Sequence, residues 1–222
     1  FHEPVLRTAI GARLPVLCEK PLTPGSTSAQ AVLEAEQQLD RPHIQVGFMR
    51  RFDEEYVALR ELAVSGDAGE LLMMHCAHRN PFLPAPGFSQ EMLIDDAVVH
   101  EFDIVPWLAG SPVVAVEVRQ GRPNGLSPKG LTEPILVLME LENGVLADVE
   151  MSVSAQFGYQ VATEAVFEKG VARTGEPAGL RLWQDGRVSI GENRGFASRF
   201  ARAFDAEVQQ WVHAVRDGRL VD

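Results

Sequence analysis

Near Phe48 the chain changes its hydrophobic rhythm, and that change limits what it can fold into more than any other feature. Before it, two helical patterns alternate with two short apolar runs. Residues 2–12 place Val5, Leu6, Ala9 and Ile10 on one helical face, with Gly11 near the end. Leu14-Pro-Val-Leu-Cys18 follows as a continuous apolar run, the mark of a strand buried on both faces of a parallel sheet. Ser26 or Thr27 can cap a second helix running to about Leu39, with Ala31, Val32, Ala35 and Leu39 inward. His43–Phe48 then reads as a second strand. Helix, strand, helix, strand with short links is the order that builds a doubly wound parallel sheet.

Past Phe48 the pattern favours antiparallel structure. An acid-started helix, Asp53–Ser65, is closed by Gly66. Glu70–His78 reads as a strand, followed by a proline-rich crossing at Pro81, Pro84, Pro86 and Gly87. Further strands are expected at about Val113–Arg119, Ile135–Glu142, Gly144–Ser154, Tyr159–Phe167, Val171–Thr174, Leu180–Gln184 and Arg187–Ile190. Asn143-Gly144 between alternating runs signals a two-residue hairpin. Residues 197–217 close the chain as a helix, with Phe200, Phe204, Val208, Trp211 and Val215 expected on its buried side. The expected fold class is therefore α/β followed by α+β. It combines the tail of a parallel sheet with a mainly antiparallel open sheet carrying helices on one face, the border lying near residues 48–52.

Composition narrows the function classes. At 222 residues and 45% hydrophobic, the chain can bury a proper core. A formal charge of −11 argues against nucleic-acid binding, which needs a basic stripe. No apolar run approaches the length of a membrane span, and the N-terminus lacks a basic-then-apolar leader, so no membrane partner is expected. Cys18 and Cys76 sit in apolar strands, as reduced core thiols of a cytoplasmic protein would. No Cys/His cluster has metal spacing, and no metal is expected. The chain opens without methionine in what reads as mid-helix, and is expected to be a fragment cut at both ends.

Two stretches carry candidate chemistry. Asp95–Leu108, read as a helix, advances roughly 100° per residue, which sets Asp96, His100 and Asp103 on one narrow stripe. Val98, Val99, Phe102 and Val105 fill much of the remaining circumference, and Pro106 should kink or end the helix. A polar seam on a mostly buried helix is either a satisfied structural network or a site, because uncompensated polar burial costs several kcal/mol. The other stretch is Glu19-Lys20-Pro21, at the C-terminal tip of the first strand. Open α/β sheets hold their ligands there, although an ordinary polar loop has the same composition.

Cys18-Glu-Lys-Pro-Leu22, Val46-Gly-Phe-Met-Arg-Arg-Phe52 and Val98-Val-His-Glu-Phe-Asp103 together resemble the glucose-fructose oxidoreductase/inositol dehydrogenase/rhizopine catabolism (Gfo/Idh/MocA) family. The resemblance covers nearly the whole chain and is nearer to the inositol 2-dehydrogenases than to the family at large. It implies that residues 1–48 are the remnant of an NAD(P)-binding Rossmann domain, and residues 49–222 a substrate-binding and oligomerisation domain. By the same resemblance Lys20, Asp96 and His100 form the catalytic set, and Glu19, Lys20 and Pro21 line the nicotinamide end of the cofactor site. Met49, Arg50, His78, Asn80, Asp103 and Tyr159 would contact substrate. Two departures stand out. No Gly-x-Gly-x-x-Gly phosphate turn occurs, and Ala97 follows Asp96 where many inositol enzymes carry a small hydroxyl.

The implied activity is NAD(P)-dependent oxidation of a secondary alcohol in a cyclic polyol or sugar, with myo-inositol at its 2-position as the leading reading. NAD is the expected cofactor, NADP the alternative, and a homodimer or homotetramer built through the C-terminal sheet the expected assembly. A dehydrogenase for another sugar, or a non-catalytic ligand sensor of the same family, is the competing reading. The residue types suit the chemistry. An imidazole is the side chain that ordinarily titrates near working pH, so His100 can take the hydroxyl proton, Asp96 can orient it, and Lys20 can favour developing alkoxide character. A polyol needs several donors and acceptors at fixed angles, which His78, Asn80, Asp103 and Tyr159 supply.

Overall fold

Backbone contacts divide the chain into Phe1–Asp53 with Arg202–Asp222, and Glu54–Ala201. The computed structural model describes residues 2–83, 86–175 and 181–219. Pro84, Leu180 and the final Val221-Asp222 of the sequence reading lie outside the described residues.

The first unit holds the expected parallel pair. Strands β1 (Val16–Glu19) and β2 (Ile44–Gly47) run in register from Val16 opposite Ile44 to Glu19 opposite Gly47. Helix α1 (His2–Gly11) buries Leu6 and Ile10, one turn apart. Val5, expected on the same face, is 65% exposed, because it is rotated by about 100° from Leu6. Together with Cys18 and with Val32 of helix α2 (Ser26–Glu36), Leu6 and Ile10 make a small core flanked by Val16, Leu22, Ala35, Leu39 and Ile44. Neither Ser26 nor Thr27 caps α2. Gly25 takes the N-cap with extended backbone and no side-chain bond, and its carbonyl accepts from Thr23 Oγ1 and Ser28 Oγ, both at 2.9 Å. The helix stops short of Leu39. Glu36 Oε1 accepts from the His43 and Ile44 amides at 2.7 and 2.6 Å, which fixes the turn into β2.

The C-terminal helix differs from expectation in two ways. It is broken into α5 (Phe196–Arg199) and α6 (Ala201–Arg216), because Phe200, at φ −113° and ψ 17°, leaves the helical region. Its buried stripe is Ala203, Glu207 and Ala214, while Val208, expected inside, is 47% exposed and Phe204, Trp211 and Val215 are half-buried. Sequence order grouped this helix with residues 49–222, whereas Arg202–Asp222 clusters with the first unit. Within that unit Arg41 Nη1 donates to the Gly218 carbonyl at 2.8 Å.

The second unit is built on a six-stranded sheet. In sequence its strands are β3 (Leu71–Arg79), β4 (Val113–Gln120), β5 (Ile135–Leu141), β6 (Leu146–Ser152), β7 (Gln160–Phe167) and β8 (Gly170–Thr174). In space the order is β4-β5-β6-β3-β7-β8, so the earliest strand sits between two later ones. Every pairing is antiparallel except β3 with β6. Period-two alternation sends Met74, Cys76 and His78 of β3 to one face. Val137, Met139, Val149, Met151, Val161 and Ala165 join them there, all nearly inaccessible. Helices α3 (Glu54–Ser65) and α4 (Val99–Ala109) cover that face, with α4 packed on β3 and α3 against α4 and β8. Strands β9 (Arg181–Gln184) and β10 (Arg187–Ile190) form a separate antiparallel ribbon.

Two local expectations are corrected. Of the kink or end expected at Pro106, the end does not occur: the helix continues to Ala109 and stops at Gly110, whose left-handed backbone (φ 61°) lets its N–H return to the Pro106 carbonyl. The Asn143-Gly144 turn is longer than two residues. Only Gly144 has positive φ (87°), and its amide reaches the Leu141 carbonyl at 2.9 Å while Leu141 N reaches Val145 O at 3.0 Å. That is a type I turn followed by a left-handed glycine, with Asn143 Oδ1 accepting from Val145 N at 3.2 Å.

Candidate active site

In the first unit the chemistry-bearing residues gather at the C-terminal ends of the parallel strands. β1 ends at Glu19, β2 at its register partner Gly47, and both chains then leave the sheet. Glu19 is exposed, while Lys20 and Pro21 are half-buried. A Cβ on Gly47 would lie in ordinary contact with Glu19 Oε2 at 3.4 Å and the Cys18 carbonyl at 3.5 Å, so the two strand ends lie side by side. After Gly47 and Phe48 a 3₁₀ turn, Met49–Phe52, buries Met49 and Arg50. Burial pushes the Cys18 thiol above its usual range, and the Glu19 charge adds to this. Glu19, Lys20, Pro21, Met49 and Arg50 thus share one end of one parallel pair.

The second unit holds His78, Asn80, Asp96, His100, Asp103 and Tyr159. The stripe expected for Asp96, His100 and Asp103 is split, because Asp96 belongs to a π-helical turn (Leu93–Val98) that precedes α4. Such turns carry i→i+5 bonds and are frequent at functional sites. His100 is buried, and Asp96 and Asp103 are half-buried on either side of it in sequence. Of the expected apolar wall, Val98 and Val105 are buried, but Val99 and Phe102 are only half-buried.

Across from α4, strand β3 presents His78, which is 3% exposed. The His78 and His100 ring centroids are 6.1 Å apart, with the planes inclined at 54°. Tyr159 stacks edge-on against His78 at 6.4 Å, and Phe200 against Tyr159 at the same distance. Three of the expected residues therefore meet as rings. Asn80, two residues past His78, is held by its backbone: its amide donates to Ser152 O at 2.8 Å, and its carbonyl accepts from Ala155 N at 2.9 Å.

Three supporting residues escaped the sequence reading. Glu101, 1% exposed, lies with Oε2 at 3.1 Å from His78 Nδ1. An acidic residue inside His-Glu-Phe-Asp reads as solvent-facing, and only the tertiary partner shows otherwise. Gly158 precedes Tyr159 at φ 153°, where a Cβ would come within 2.6 Å of Glu192 Cγ and 3.0 Å of Asn193 O. That close approach lets the Tyr159 amide bond Asn193 O at 2.7 Å. Glu133 is fully buried and accepts from Ser127 Oγ, from the Val153 amide and from Ser152 Oγ at 3.1 Å. Burial pushes its carboxyl up, but these donors with Ser154 outweigh it and leave the pKa below the usual carboxylate range. Glu133 thereby fastens the Ser152–Ser154 segment that Asn80 leans on.

The opposite face of the sheet carries ion pairs in place of a core. Arg79 holds Glu150 through Nε at 2.7 Å and through Nη2, His75 pairs with Asp148, and Arg173 with Glu164. The hydrogen bond to Glu150 raises the Arg79 pKa, and the same bond lowers that of Glu150. Leu136 and Leu146 lie exposed among these charges, 37% and 45% accessible.

Set beside known proteins, residues 56–173, more than half of the chain, match the GFO/IDH/MocA C-terminal domain. The chain belongs to this family. The match spans His78, Asn80, Asp96, His100, Glu101, Asp103, Glu133 and Tyr159. Among relatives, inositol 2-dehydrogenase of Leifsonia xyli subsp. xyli is 67% identical over 221 residues, 100% of this chain and 65% of that protein. Inositol 2-dehydrogenase of Corynebacterium glutamicum (strain R) is 62% identical with the same coverage. The chain thus spans slightly less than two thirds of these curated relatives. The crystal structure of myo-inositol dehydrogenase from Lactobacillus casei in complex with NAD(H) and myo-inositol superposes with a TM-score of 0.93 at 28% identity. It covers 100% of this chain and 66% of its own.

Proposed function

We propose that the chain is the substrate-binding part, with the last strands of the cofactor domain, of an NAD-dependent dehydrogenase that oxidises myo-inositol at its 2-position. What carries this reading is the 67% identity to an inositol 2-dehydrogenase across the whole chain, with His78, His100 and Tyr159 meeting as buried rings.

The residues divide the work. His100 takes the proton of the reacting hydroxyl, since imidazole changes charge near working pH. Asp96, one turn earlier, orients that ring and favours the imidazolium. Lys20 supplies a positive charge that stabilises alkoxide character on the substrate oxygen. His78, Asn80, Asp103 and Tyr159 read the other hydroxyls with a mixture of donors and acceptors, and Met49 and Arg50 border the same substrate. Glu19, Lys20 and Pro21 line the nicotinamide end, for which the paired ends of β1 and β2 are suited. Ligands of open α/β sheets bind outside the carboxyl ends of parallel strands. NAD, when bound, supplies the hydride acceptor.

The assembly we propose is a homodimer or homotetramer formed through the ion-paired outer face of the sheet, where Leu136 and Leu146 would be covered. Buried free thiols at Cys18 and Cys76 suit a cytoplasmic protein, and no helix among the described residues is long and apolar enough to cross a membrane. Sedimentation of the full-length protein is expected to give a dimer or tetramer; a monomer at all concentrations would contradict that assembly.

The activity is tested by following nicotinamide absorbance with full-length protein and myo-inositol, scyllo-inositol and glucose in parallel, with NAD or NADP. Reduction of NAD with myo-inositol is expected. Turnover of glucose alone would replace the substrate, and cofactor binding with no turnover on any of them would favour the sensor reading.

A further inference from the structure

We infer that Glu101 is a positioning residue that locks His78 into a single tautomer and so fixes it as a hydrogen-bond acceptor for the substrate. The inference rests on the dehydrogenase reading above and adds a specificity element to it.

Glu101 Oε2 lies 3.1 Å from His78 Nδ1, with the two side chains 1% and 4% exposed. An ionised carboxylate can only accept, and a neutral imidazole donates from one nitrogen and accepts at the other. With the ring neutral, the proton therefore sits on Nδ1, and Nε2 keeps its lone pair. A polyol hydroxyl meeting Nε2 must donate to it, which fixes the direction of that hydroxyl and its neighbours. The opposite tautomer would set the Glu101 carboxylate against the Nδ1 lone pair, two acceptors face to face at 3.1 Å in a buried setting.

The arrangement also explains how two imidazoles 6.1 Å apart serve different purposes. A general base has to gain and lose a proton in each cycle, whereas a reader of hydroxyl direction has to keep its proton in one place. Environment separates the two roles. His100 and Glu101 are consecutive on α4, so their side chains diverge by about 100°. One helix thus carries the base and, on the next residue, the brace behind His78 of β3. The base and the reader cannot drift apart without moving α4 on the sheet.

The test uses full-length protein labelled with ¹⁵N-histidine, long-range proton–nitrogen correlation spectra to read tautomers, and His78→Gln to assign the His78 signal. Glu101→Gln keeps an acceptor oxygen, and Glu101→Leu removes it. Wild type and Glu101→Gln are expected to show the Nδ1–H pattern, which Glu101→Leu loses. With NAD and myo-inositol, Glu101→Leu is expected to raise KM by about 10-fold or more while kcat stays within about 3-fold, and Glu101→Gln to restore KM to within about 3-fold. An Nε2–H signal for His78 in the wild type overturns the inference, as does a Glu101→Leu protein that keeps the wild-type tautomer and KM. If Glu101→Leu does not fold, the wild-type and Glu101→Gln spectra decide it alone. A wild type that turns over no cyclitol or sugar sinks the dehydrogenase reading, and the His78 tautomer still reports whether Glu101 holds the ring.

Discussion

The strand tips of the first unit and the buried ring cluster of the second solve the same problem by different means. At Glu19-Lys20-Pro21 the functional groups are the last residue of a four-residue strand and the two that follow it, three consecutive residues in all. His78 and His100 come from β3 and α4, and Tyr159 from a bridge just before β7, and the site residues lean on partners from other parts of the unit. His78 leans on Glu101, Tyr159 on Gly158 and Asn193, and Asn80 on the segment that Glu133 fastens. The first region presents groups by topology, as parallel strands end in a crevice. The second holds them by packing and buried hydrogen bonds. Variants in the first should therefore change chemistry with little loss of stability, and variants in the second should change both.

The sharpest contrast pairs the two. His100→Ala removes the base and is expected to lower kcat by about 10²–10⁴-fold. Lys20→Met is expected to cost roughly 10²–10³-fold in kcat, with an unfolding midpoint close to wild type. Steady-state rates and denaturant melts of both proteins measure this. A large loss of stability in Lys20→Met would erase the distinction drawn between the regions.

Next in size is Glu133→Leu, which leaves buried hydroxyls and an amide without their acceptor. It is expected to destabilise by about 2–4 kcal/mol in urea unfolding. The sign of the pH dependence follows from a carboxyl held below its usual range. Its stabilisation is present above the unfolded-state pKa and is lost as pH falls through the folded one. Wild type should thus weaken in acid more than Glu133→Leu, and the two stability curves should converge at low pH. Parallel curves would mean that Glu133 does not carry this charge.

Gly158→Ala gives the smallest effect. A left-handed backbone and a Cβ within 3 Å of Glu192 and Asn193 should cost about 1–3 kcal/mol. Displacement of Tyr159 should raise KM for substrate more than it lowers kcat. An unchanged KM would separate Tyr159 from substrate binding.

Much of this architecture could be read from residue order. Alternation located the strands expected at Ile135–Glu142, Gly144–Ser154 and Tyr159–Phe167, each of which overlaps an observed strand, because period two survives any sheet order. Insertion of β3 between β6 and β7, with the parallel pairing it forces, could not be read, since strand order is a long-range property. Hydrophobicity places Val208 on the inner side of the last helix, whereas the buried positions are Ala203, Glu207 and Ala214. At the site, the helical stripe pointed to His100 and the family resemblance to His78 and Tyr159, but the residues that brace them stayed hidden. Glu101 and Glu133 look like surface acids until burial and partners are known, and Gly158 like any loop glycine.

The most direct measurement follows the hydride itself. Full-length protein is incubated with NAD and myo-inositol deuterated at carbon 2, and the nicotinamide product is analysed by mass spectrometry and NMR. The account predicts NADH carrying one deuterium at the nicotinamide ring, formed more slowly than with unlabelled myo-inositol where hydride transfer limits the rate. Unlabelled NADH would place the oxidation at another carbon, and no NADH from any cyclitol or sugar would contradict the dehydrogenase assignment altogether.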